Sequence, residues 1–162
     1  MVLIALQAIC MLGCSRAPDD AAVKAINQGD SHLEQNELSQ AITAYGDAIS
    51  RDPSRVDAYY NRGVAHFKNE QYRECIADME EVIAKDPKIT LAHYYVGKSY
   101  ASVGDMDKAI ESFSRGIELN ANEPLFLVGR AEAYKKLGRQ PESEADLDKV
   151  RKLAPHLLED SQ

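Results

Sequence analysis

Small residues recur along this chain at a fixed step of 34, at Gly29, Gly63, Gly97 and Ala131. A second series, Pro53, Pro87, Ala121 and Pro155, keeps the same step. A period of this length fits one pair of helices and the turn between them, a unit that buries its apolar face only by stacking on a neighbour. Four consecutive blocks follow, 22–55, 56–89, 90–123 and 124–157, without insertion or deletion. The period alone therefore predicts an all-α solenoid. It also bears on function, because stacked helix pairs present an extended surface.

The aligned columns carry the packing. Position 8 is the glycine series ending in Ala131, and position 20 is Ala41, Cys75, Ala109 and Ser143. Both are small, as expected where two helices approach closely and a larger side chain would overfill the contact. Position 11 holds His32, His66, Tyr100 and Tyr134, and position 24 holds Tyr45, Met79, Phe113 and Leu147; these are expected to fill the space between helices. Proline at position 32, present in three of the four blocks, stops the second helix. In the second block, Tyr60, Val64 and Phe67 share one face of a helix predicted over Asp57–Lys68. Cys75, Ile76, Met79, Val82 and Ile83 share the buried face of another over Arg73–Lys85. Gly104 and Gly138 suit the left-handed residue that closes a first helix; Asn36 can do the same, and Glu70 fits poorly.

This pattern resembles the tetratricopeptide repeat, with Gly/Ala at position 8, Tyr at 11, Ala at 20, Phe at 24, Ala at 27 and Pro at 32. The resemblance covers residues 22–157 of 162. It implies a right-handed α-solenoid of four tandem repeats and eight helices. Departures are mild: position 4, often aromatic in the family, is Ala25, Tyr59, His93 and Leu127, and Ala121 replaces one proline. Ile42, Ile76 and Ile110 at position 21, with Ile49, Ile83 and Ile117 at position 28, are expected to pack on the following repeat. Glu144 and Arg151 stand there in the fourth block, so the array is expected to close at four, with Leu157 and Leu158 covering part of the last pair. Residues 158–162 are a short tail.

Residues 1–14, MVLIALQAICMLGC, carry no charge and give way abruptly to Ser15-Arg16-Ala17-Pro18-Asp19-Asp20. The run is short for a membrane span and fits the apolar core of a secretory signal. Its end, Leu12-Gly13-Cys14-Ser15, resembles the lipobox of bacterial lipoproteins, which implies a signal at 1–13, lipidation of Cys14 and a linker at 14–21. Two or three acyl chains anchor a protein stably. Met11 and Leu12 are looser than that motif, and the basic leader is missing. An uncleaved anchor and a chance apolar terminus remain alternatives. The lipoprotein reading places the protein in the cell envelope, at an outer membrane if the source has one; the last alternative places it in the cytoplasm.

A net charge of −7 opposes contact with phosphate backbones, so no nucleic-acid partner is expected. The acidic runs Asp78, Glu80, Glu81 and Glu142, Glu144, Asp146, Asp148 read as a solvated outer face. No histidine pair has metal-ligand spacing, and the glycines are absorbed by the repeat rather than by a phosphate-binding loop. His32 and His66 share a packing column, and Cys75 lies in the small-residue column, where a buried thiol is inert. No catalytic residue, metal, cofactor or small-molecule substrate is expected.

In the tetratricopeptide family the first helices line a concave groove that holds a peptide, through positions 2, 5, 9, 12 and 13. Carried over, these positions and the adjacent position 6 nominate Ile26, Tyr60, Asn61, Val64, Phe67, Lys68, Tyr94, Lys98, Val128 and Lys135 as groove candidates. Tyr60, Val64, Phe67 and Tyr94 would form an aromatic patch rimmed by Lys68 and Lys98, the composition of a binding hot spot. Family members that clamp a chaperone's C-terminal carboxylates use lysine, asparagine and arginine at set positions. Here those positions hold Ile26, Asp30, Asn61, Leu91 and Tyr95, of which only Asn61 matches. The expected function is a protein-binding adaptor or scaffold; a self-associating structural role is the alternative.

Overall fold

The computed structural model describes residues 20–161, so Cys14 and the segment before it lie outside the described residues. Helices come in antiparallel pairs: α1 (Asp20–Glu34) with α2 (Leu38–Arg51), α3 (Val56–Lys68) with α4 (Tyr72–Lys85), α5 (Leu91–Ser102) with α6 (Met106–Leu119), and α7 (Pro124–Lys136) with α8 (Gln140–Leu153). A 3-10 helix at Pro155–Ser161 follows. The predicted helices of the second block are found to within a residue.

Each helix packs on the next in sequence. The odd-numbered helices also touch one another, α1 on α3, α3 on α5 and α5 on α7, whereas no even-numbered helix meets another among the described residues. The array therefore curves, with α1, α3, α5 and α7 on its inner face. That asymmetry is what creates a groove.

The small-residue columns mark the closest approaches. A Cβ added at Gly29 would lie 2.5 Å from the Tyr45 ring, at Gly63 2.8 Å from the Met79 methyl, and at Gly97 2.7 Å from the Phe113 ring. In the first three repeats position 8 of the first helix is thus pressed by position 24 of the second. Phe113 is fully buried, and its far edge reaches Gly129 in the next repeat, where a Cβ would meet it at 2.5 Å. One ring joins two repeats through two glycines. Ala41, Cys75, Ala109 and Ser143 are all buried, as the column predicts.

All four turns close alike. Asn36, Glu70, Gly104 and Gly138 have φ of 59°, 59°, 91° and 73°. The residue after each donates its N–H to the carbonyl of position 11, as in Gln71 to His66 at 2.9 Å and Asp105 to Tyr100 at 2.9 Å. This is the Schellman closure, which favours glycine at the left-handed residue. Glu70 adopts it despite its side chain. The second helices end in extended residues, Asp52, Asp86, Asn120 and Ala154, three of them before proline, which disfavours helical geometry in its predecessor.

Two expectations need correction. Glu80, Glu81, Glu144 and Asp148 do face outward, but Asp78 and Asp146 are only 4 % and 2 % exposed. Each is held by an arginine 16 residues earlier on the facing helix, Arg62 and Arg130. Position 23 looks toward the first helix, not away from it. His32 likewise is no core residue: its ring is 37 % exposed and Nδ1 lies 2.6 Å from Glu37, whereas the equivalent His66 is 12 % exposed beside Asp78.

Candidate functional site on the inner face

The inner face is assembled from equivalent positions of the odd helices. Ile26, nominated from position 5, is buried and offers no surface. Tyr60 and Tyr94, its counterparts, are half-buried and differ in environment. The Tyr94 ring centroid lies 6.2 Å from Phe113 and 6.4 Å from Phe126, so this tyrosine packs across the joint between the third and fourth repeats. Both rings were expected to project into the groove; Tyr60 lines the cleft described below, and Tyr94 also touches two core phenylalanines.

Tyr95, which the sequence did not nominate, is the hub of the aromatic patch. Its ring sits edge-on to Tyr60 at 6.0 Å, Phe67 at 5.5 Å and Tyr94 at 5.7 Å. Val64 packs in the same cluster. Edge-to-face geometry suits the ring quadrupoles and holds these side chains in place. The signal was in the sequence: Tyr95 stands at position 6, beside the position 5 series. Burial, followed by the neighbouring Tyr95, pushes the Tyr60 hydroxyl up to about 12, and burial also raises Tyr95. Both phenols are neutral donors at physiological pH.

Position 6 of the second repeat is Asn61, much smaller than Tyr95, and a cleft of about 600 Å³ opens there. It is lined by Val56, Tyr60, Asn61 and Ile89, with Arg55 and Asp57 at its rim. These two pair with each other, Arg55 Nε donating to Asp57 at 2.9 Å. Asn61 donates to Asp30 at 3.0 Å, and the Tyr45 hydroxyl donates to the same oxygen at 2.7 Å. The single residue matching the chaperone clamp is therefore engaged within the fold.

The remaining nominees divide. Lys98 is not a free rim residue, since its Nζ lies 3.3 Å from Glu132 of the next repeat. Lys68 and Lys135 are exposed. Val128 and Lys135 line a second cleft of about 240 Å³, with Leu147, Leu157 and Leu158. The 3-10 helix brings Leu157 and Leu158 against the last pair, as expected.

No cluster of three or more metal-ligating side chains exists among the described residues. Burial raises the Cys75 thiol to about 11, and burial together with Arg115 lowers His93, which leaves its ring neutral. The face is suited to contact.

Family models agree with this geometry. A model described as TPR repeat matches residues 29–70, and two described as tetratricopeptide repeat match residues 56–89 and 92–123, together more than half of the chain. The chain is a tetratricopeptide repeat protein. One of these matches coincides with the second block. Among curated proteins no match is found. Among solved structures, a crystal structure of MamA is similar at a TM-score of 0.80 and 22% identity, covering 85% of this chain and 81% of that one. The first TPR of Spaghetti (RPAP3), bound to the HSP90 peptide SRMEEVD, aligns at 0.70 and 19% identity over 74% of this chain and 94% of its own. The Arabidopsis OM64 TPR domain aligns at 0.68 and 18% identity over 72% and 97%. Identities this low establish the shared fold.

Proposed function

We propose that this TPR protein is an adaptor that holds a partner's peptide segment in the groove of its odd helices, and that it is lipid-anchored at Cys14 in a bacterial envelope. The observation that carries the groove reading is the cleft beside Tyr60. It is lined by Val56, Ile89 and one aromatic ring, Tyr60, which is held edge-on against Tyr95. Aromatic anchors in a pocket with a polar rim account for most of the energy in binding hot spots. Peptide binding by a TPR domain of the same fold, in the RPAP3 structure, lends support. A carboxylate-terminated chaperone tail is a poor candidate here, because Asp30 occupies a position where the clamp uses asparagine.

The anchor rests on the sequence Leu12-Gly13-Cys14-Ser15 and the uncharged run before it. No helix among the described residues is long and apolar enough to cross a membrane. With α1 beginning at Asp20, residues 15–19 reach at most about 18 Å, so the repeats would lie near the lipid surface.

Two measurements test the proposal. Tyr60→Ala should weaken capture of the natural partner about thirtyfold, the effect of losing about 2 kcal/mol at a hot spot, while Glu80→Ala on the outer face leaves capture intact. The opposite pattern would move the binding surface to the even helices. Mass spectrometry of the natural N-terminus should find diacylated Cys14; an unmodified Met1 on envelope-fractionated protein would remove the anchor from the account.

A further inference from the structure

The inner face is electrically polarised along the array. At the α1 end, Asp30 is half-buried, and its carboxylate accepts hydrogen bonds from two neutral donors, Tyr45 and Asn61. No cation pairs with it among the described residues. Hydrogen bonds from neutral groups stabilise a carboxylate without cancelling its charge. Glu34, exposed one turn further along the same helix, adds to the negative field felt by Tyr45. At the α7 end, Lys135 and Lys136 are exposed and make no ion pair among the described residues. Lys98, nearby, is neutralised by Glu132. Between these ends lie Tyr60, Val64 and Phe67, with the exposed Lys68 at the end of α3, so the face is acidic at α1 and basic from α3 onward.

We propose that the groove selects one kind of occupant: an extended peptide segment that is basic at one end, apolar at its centre and acidic at the other. Its central aromatic or branched aliphatic side chain enters the cleft of Val56, Tyr60 and Ile89. Lysine or arginine reaches Asp30 and Glu34, and carboxylates meet Lys135 and Lys136. This rests on the groove reading above and adds the partner's chemistry and its orientation across the array. A segment of uniform charge would be attracted at one end and repelled at the other, which is how complementary potentials set register and exclude wrong partners. Four side-by-side helices at roughly 10 Å spacing place the outer two about 30 Å apart, or about nine extended residues.

The test uses fluorescence anisotropy on the full chain with five synthetic twelve-residue peptides at low salt. All share a Leu-Phe-Leu centre. Two carry lysine flanks on one side and glutamate flanks on the other, in opposite chain directions; the rest have all-lysine, all-glutamate and all-serine flanks. One mixed peptide is expected to bind about tenfold tighter than the three uniform ones, and Lys135→Glu with Lys136→Glu should weaken it about fivefold. Equal or tighter binding by a uniform peptide, or no binding by either mixed peptide, overturns the proposal. Tyr60→Ala separates the two levels. If charge preference is absent yet Tyr60→Ala still abolishes binding, the polarity inference falls and the groove stands. If a mixed peptide is preferred but ignores both Tyr60→Ala and the lysine reversals, the groove itself is the wrong site and the proposal falls with it.

Discussion

The guanidinium of Arg62 in α3 meets the carboxylate of Asp78 in α4 through two hydrogen bonds of 2.9 and 2.6 Å. Arg130 and Asp146 repeat the contact in the fourth repeat at 2.7 and 2.9 Å. The first and third repeats have Gln28 with Ala44 and Val96 with Ser112 at these positions. The paired arginines are raised above their ordinary value, mainly by the carboxylate bond. Removing one partner strands the other charge in a half-buried site. Asp78→Ala should therefore cost about 3 kcal/mol in urea unfolding, whereas Arg62→Met with Asp78→Leu should stay within about 1 kcal/mol of wild type. Equal stabilities for the single and double variants would mean the pair is solvated.

The glycine column predicts a graded response. Gly97 faces the rigid Phe113 ring, but Gly63 faces the flexible end of Met79. Alanine at Gly97 should destabilise by about 1–3 kcal/mol through overpacking, and alanine at Gly63 by less, because the methionine can move aside. Thermal unfolding of the two variants measures the difference. A larger loss at Gly63 would contradict the packing described.

Glu70 holds a left-handed backbone where the third and fourth repeats use glycine. An L-residue there costs about 1–2 kcal/mol, partly offset by the greater entropy that glycine loses on folding. Glu70→Gly should raise stability by up to about 1 kcal/mol. A lower melting temperature would show that the Glu70 side chain makes an overlooked contribution.

Alkali should act on the aromatic patch. The Tyr60 hydroxyl is raised from an ordinary 10.0 to about 12 by burial and by Tyr95. The folded state thus holds its proton more tightly than the unfolded one. The associated stability is complete below pH 10 and is lost as pH rises toward 12. Tyr60→Phe should flatten this part of the pH–stability curve; an unchanged slope would place the titration elsewhere.

The repeat made most of the fold legible, because each structural need recurs in four registers. A small residue opposite a large one, a left-handed closing residue and a proline stop are all local or separated by a fixed step. The ion pairs were not legible in the same way. Asp78 sits among Glu80 and Glu81, and only the pairing of position 7 with position 23 across two helices reveals that it points inward. The groove was readable as a set of positions, but not which of them stay open. Tyr60 and Tyr94 are equivalent in sequence, and what separates them lies beneath the ring: Phe113 and Phe126 under Tyr94, and open space by Asn61 beside Tyr60.

The central claim is that partners bind across the odd helices. Hydrogen exchange measured on the full chain with and without its captured partner tests it most directly. Amides of α3 and α5, around Tyr60, Phe67 and Tyr95, should gain protection while those of α4 and α6 stay unchanged. Protection confined to α4 and α6 would contradict the account.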